Sequence, residues 1–402
     1  MLSVKPTDGD GDFTFLRNTA ATRVNAQGLV ENVQILSSDL VQNGSFSEEG
    51  AEQVSNGSFS EEGAELVTNG SFDTDSDWTK GLGWSIADGK ASNDGSVSGN
   101  DYLINSPSTV VIGKTYKVEF TLSNCTQGSI RVKAGNALSV FVASNGNYIQ
   151  YMVATNTETC RIQARNNFIG SIDNISVKEV GQDWLISGGS EVTEQGVRIN
   201  NTITGANAFI KQSNSNFTIG KSFVLEYDVV ATNGKTLAIE QLSSITLNTS
   251  TIGNNRKLYF QWDTSSTGLV IKRISTGTDV TITNISVKEV GQNWNIEDTW
   301  TIGNSVANGN GANGSSEEII QTSVLVVGKE YKATYQVLNY VSGSVALWKG
   351  SGVSLIQRTA NNTYTEYFTG ASNQIRFRGT NFIGSITNIV IKEVTNDTDL
   401  PR

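Results

Sequence analysis

A tandem repeat constrains this fold more than any other feature of the chain. Three stretches read VIGKTYKVEF from Val111, TIGKSFVLEY from Thr218 and VVGKEYKATY from Val326, and their glycines, Gly113, Gly220 and Gly328, lie 107 and 108 residues apart. Three closing stretches match as well: FIGSIDNISVKEVGQDW from Phe168, TDVTITNISVKEVGQNW from Thr278 and FIGSITNIVIKEV from Phe382. A fixed period of this size means one folding unit copied in tandem. Each copy is domain-sized, so each is expected to have its own core.

The unit reads as β structure. After Gly113, residues Tyr116, Val118, Phe120 and Leu122 alternate with Lys117, Glu119 and Thr121, the period-two pattern of a strand with one buried face. Gly numbers 40 and Pro only 3, and Asn, Ser and Thr are plentiful, which suits short strands joined by polar turns. The expected fold class is all-β: three tandem β-sandwich, jelly-roll-like domains after an N-terminal segment. The boundaries are 1–39 for that segment, 40–65 for a stretch of short repeats or linker, and 66–181, 182–291 and 292–402 for the three sandwiches.

Tryptophans keep register with the repeat. Trp78 and Trp84 stand six residues apart, Trp294 and Trp300 repeat that spacing, and Trp184 has Ser190 at the sixth place. Such recurrence favours a core role, and Trp262 shares parity with Leu258 and Phe260. A shorter repetition fills 40–72: LVQNGSFSEEGAE, QVSNGSFSEEGAE and LVTNGSFDTD, with Asn43, Asn56 and Asn69 thirteen apart. It reads either as strand-turn units, for which NG is a strong turn signal, or as a duplicated linker with solvent-facing acidic turns.

The phrase LVTNGSFDTDSDWTKGLGWSIADGKAS, from Leu66 to Ser92, resembles the opening of a carbohydrate-binding-module-like jelly roll of the galactose-binding-like type, frequent in virion proteins of tailed bacteriophages. DGDFTFLRNTAATRVNAQGLVENV, from Asp10 to Val33, resembles a sequence that precedes such modules in phage tail-fibre and head-fibre proteins. The resemblance implies a structural protein exposed on the virion and made in the host cytoplasm. Its N-terminal part would dock on capsid or tail, and its modules would bind surface glycans or act as spacers. It also implies a homo-oligomer, and, near Asp73, Asp75 and Asp77, a structural calcium ion of the kind such modules often hold.

Composition narrows the chemistry. The chain has no histidine, which removes the commonest general base and metal ligand and with it any Ser-His-Asp arrangement. No enzyme is expected and no cofactor beyond that calcium. The recurring acids Glu179, Glu289 and Glu393 each follow a lysine and read as strand-end charges. Asp8, Asp10 and Asp12 lack the glycine and glutamate of a calcium loop, since Phe13 and Asn18 stand there. A net charge of −10 without a basic run argues against nucleic acid. No stretch of about 18 apolar residues exists to span a membrane, and the N-terminus has no apolar core of an export signal.

The two cysteines, Cys125 and Cys160, are too few for a disulfide framework, although a bridge between them is left open. For sugar or partner contact the candidate is Trp348 with Lys349. ALWKG aligns with RVKAG at Arg131, so Trp348 takes the outward place of Lys133.

Overall fold

The computed structural model describes residues 22–24, 28, 30–32, 34–106, 110–201, 207–213, 217–242, 245–266, 268–297, 299–311, 317–349 and 355–396. They form strands, turns and no helix, and they pack into three sandwiches around three apolar cores. Most of the N-terminal segment, with Asp8, Asp10 and Asp12, lies outside the described residues.

Each sandwich is organised by an antiparallel pair. A central strand follows the Gly-Lys turn: Thr115–Ala134, Ser222–Thr232 and Glu330–Trp348. It pairs with a closing strand: Arg161–Val180, Asp279–Val290 and Ile375–Asn396. In the first and third domains both strands are long enough to bend from one sheet into the other. The bend in the first domain falls at register shifts between Ser123 and Ser129, where Asn124 and Gly128 take positive φ. In the second domain the chain breaks there instead, and Leu237–Ile239 and Gly268–Arg273 build the second sheet separately.

The turn glycines Gly113, Gly220 and Gly328 have φ of 82°, 83° and 84°, which side-chain-bearing residues rarely adopt. Asn174, Asn284 and Asn388 also sit in the left-handed region, at 51°, 52° and 51°. Each marks a bulge in the closing strand, so Ile172 and Ile175 both point into the core despite their odd spacing. All the repeat tryptophans, and Trp262, are buried.

The stretch 40–65, together with residues 34–39 of the N-terminal segment, is built into the sandwiches. Gln34–Leu36 pairs with the closing strand of the third domain, Glu49–Glu52 with that of the second, and Glu62–Glu65 with that of the first. The segment therefore runs as a strap along the array in reverse domain order, adding a strand to the open edge of each closing strand.

Candidate functional site

The strap is built from a turn used three times. In each NGSF the Phe N–H donates to the Asn carbonyl at 3.1–3.2 Å, and both Asn and Phe take positive φ. A phenylalanine is held there only when its surroundings over-determine it. Here the ring is pinned. Phe46 packs on Trp294, Phe59 on Trp184 and Phe72 on Trp78, with centroids 5.3, 5.2 and 5.1 Å apart. The indole N–H of each tryptophan donates to the carbonyl of Asn43, Asn56 or Asn69.

Three further devices recur. The amide N–H of Ile389, Ile285 and Ile175 donates to the carbonyl of Gly44, Gly57 and Gly70, all at 3.0 Å. A Cβ on those glycines would fall 2.0, 1.8 and 2.0 Å from the same isoleucine's carbonyl oxygen, so the close approach demands glycine. A buried amide side chain grips the strap backbone as well. Gln321 meets both N–H and C=O of Gln42, Gln212 those of Ser55, and Asn105 those of Thr68. Asp39, Glu52 and Glu65 each accept from the strap two residues on and from Ile391, Val287 or Val177 of the closing strand.

Charge follows the same plan. Glu62 bridges Lys117 at 2.7 Å and Lys178 at 2.9 Å, and these ammonium groups hold its carboxyl below the usual range. Glu49 pairs with Lys288 at 2.9 Å. Glu179, Glu289 and Glu393 pair with the turn lysines Lys114, Lys221 and Lys329. These acids tie the turn to the closing strand.

Domain junctions reuse one position. Tyr151 packs against the core of the second domain, and Tyr259 against that of the third, where Val224 beside it is buried. Their counterpart, Tyr367, is 57% exposed, with Lys332 5.8 Å from its ring.

The residues singled out in the sequence behave differently from one another. Trp348 lies on the outward face of the third domain, at the register of Arg376, and is half-buried because the Arg378 guanidinium lies 3.8 Å over its ring. Arg378 and Arg376 are both tied to Glu318, which is buried, at 2.6 and 3.0 Å. Lys349 follows, half-buried. Asp75 is taken by Lys80 at 2.5 Å, Asp73 by the Ser71 hydroxyl and Asp77 by the Ser76 hydroxyl. Among the described residues no three Asp, Glu or Cys side chains gather as metal ligands. No disulfide joins Cys125 to Cys160; burial pushes the Cys160 thiol up to about 12.

One cluster was not visible as a sequence motif. On the outward face of the first domain Arg131, Lys133, Arg161 and Arg165 stand on adjacent rungs of two paired strands. The Phe141 ring lies 4.3 Å from the Arg131 guanidinium and 3.4 Å from that of Arg165. Burial, and then the neighbouring cations, hold Arg131 and Lys133 below their ordinary ranges. The cations come from two stretches far apart in the chain, so only strand pairing assembles them.

No family model matches the chain, and no curated protein is similar to it. Among solved structures it is similar to the tandem CBM22 domains of Paenibacillus barcinonensis Xyn10C, at 12% identity and a TM-score of 0.21, over 53% of this chain and 94% of that one. It is also similar to a triple-jelly-roll turret protein of an archaeal virus, at 13% identity and 0.18, over 80% and 90% of the two chains. A protein of Sulfolobus turreted icosahedral virus gives 13% and 0.18, over 81% and 92%. Within the described residues no helix is long and apolar enough to cross a membrane.

Proposed function

We propose that the chain is a non-enzymatic virion protein of a tailed bacteriophage, a fibre or decoration subunit held to the particle at its third-domain end. The first domain is displayed outward. The observation that supports this most is the strap. It enters beside the last strand of the third domain, so the chain joins and leaves the array at one end. That end also carries Tyr367, uncovered where Tyr151 and Tyr259 are packed on a following domain. An apolar ring left exposed at a position built for docking fits a partner on the particle, or another copy in a homo-oligomer. The lack of histidine and the lysine partners of Glu179, Glu289 and Glu393 support a role without catalysis.

A second reading, a spacer that stabilises capsid or tail and binds no sugar, is supported by the Arg378 cover over Trp348, which removes the exposed aromatic platform expected there. Electron microscopy of particles labelled with antibodies to the first and third domains tests the attachment. The expected image has first-domain label farther from the particle body than third-domain label. Absence of the chain from purified particles would overturn the reading.

A further inference from the structure

The three domains place equivalent residues on the same outward rungs, so their charge balance can be compared position by position. In the third domain the rung is Ala346, Arg378 and Glu318, and in the second Ala238, Lys272 and Phe209. In the first it is Arg131, Gln163 and Tyr102. Buried Glu318 neutralises Arg376 and Arg378, and Glu240 takes Lys272 at 2.8 Å. Tyr102 occupies the place of Glu318 in the first domain. There the four cations have one carboxylate partner among the described residues, Glu158, which holds an Arg161 terminal nitrogen at 2.6 Å.

The guanidiniums are also oriented. Arg131 donates from Nε to Gln163 at 2.9 Å, and Arg165 from Nε to the Ser129 hydroxyl at 3.1 Å. Both guanidiniums also lie against the Phe141 ring, at 4.3 and 3.4 Å from its centroid. Their terminal nitrogens, and the Lys133 ammonium, have no protein acceptor among the described residues, and the buried Nε of Arg161 has none either. Two pre-set forks beside an ammonium match the bidentate geometry of a carboxylate or phosphate.

We propose that this face of the first domain binds the anionic groups of an acidic surface polysaccharide, uronate carboxylates or backbone phosphodiesters, with Arg131, Lys133 and Arg165 as the contacts. Tyr102 and Ile104, on the neighbouring strand of the same face, lie beside these contacts. The proposal deepens the display reading above and takes only its biological setting from it.

The test is calorimetric titration of the full chain with a galacturonic acid trisaccharide, a glycerol-phosphate oligomer and the neutral parent trisaccharide, at low and high salt. The expected result is saturable, salt-weakened binding of one or both acidic oligomers and none of the neutral one. Arg131→Gln with Arg165→Gln should weaken it at least about tenfold, while Trp348→Ala leaves it unchanged. Lys133→Gln, which disturbs no stacking, should weaken it less, so loss of binding is separable from misfolding. Binding of the carboxylate but not the phosphate oligomer, or the reverse, identifies the source of the anion. Failure of both acidic oligomers to bind at millimolar concentration, or equal binding by the double variant, would overturn the site. A particle lacking the chain would overturn the virion role and leave this result standing.

Discussion

Phe59 of the strap lies 5.2 Å, centroid to centroid, from Trp184 at the entrance to the second domain, and the Trp184 indole N–H donates to the carbonyl of Asn56. The pair joins two repeats of different length. Each thirteen-residue strap unit is matched to one domain, and the match runs backwards along the chain.

Truncating the ring should therefore act at a distance in sequence. Phe59 is buried in the second-domain core, and Phe59→Ala should cost about 3–5 kcal/mol there. Denaturant unfolding followed by domain-specific probes should show the second-domain transition moving to lower denaturant. Phe46→Ala should shift the third domain in the same way, since Phe46 sits in that core.

Gln212 is buried and satisfies both backbone groups of Ser55. Gln212→Ala leaves the Ser55 N–H without a side-chain partner, at about 1–3 kcal/mol if it stays dry, while the Ser55 carbonyl keeps the Trp184 indole N–H at 3.2 Å. Gln212→Glu keeps an acceptor for the N–H but sets a carboxylate against the carbonyl, so it should not restore stability. Thermal melts of the two variants check this.

Asp279 receives two hydrogen bonds from Arg198 at 2.7 Å, and the guanidinium holds its carboxyl below the usual range. A depressed carboxyl contributes stability above its unfolded pKa of about 4 and loses it as pH falls through the lower folded value. Glu62, depressed by Lys117 and Lys178, adds a loss of the same sign. Stability measured from pH 6 downward should fall on the acid side, and Asp279→Asn should flatten that limb.

The Cys160 thiol, fully buried and pushed up to about 12, should not react with iodoacetamide in the native protein at pH 8. Cys125 is partly exposed but also raised by burial, so it should label slowly. Cys160 labelling should appear only with unfolding of the first domain, as peptide mass mapping would show.

Much of the framework was legible in the chain. The Gly-Lys turns, the alternation after them and the recurring tryptophans each follow from short-range rules of turn conformation and face periodicity. The strap was half legible. Its three units were visible, but partners that differ in period cannot be aligned by self-comparison. The third copy held the clue, because it runs straight into the first domain and sets Phe72 on Trp78; the same Phe-to-Trp pairing extends to Trp184 and Trp294. Trp348 lies on an outward face, and its cover, Arg378, comes from another strand. The cations of the first domain were hidden for the same reason.

Amide hydrogen exchange on Gly44→Ala, Gly57→Ala and Gly70→Ala tests the reverse match most directly, because each added Cβ meets the carbonyl of a different domain. The account predicts lost protection around Ile389 of the third domain, Ile285 of the second and Ile175 of the first, respectively. Loss confined to the first domain in all three variants, or no loss in any, would contradict it.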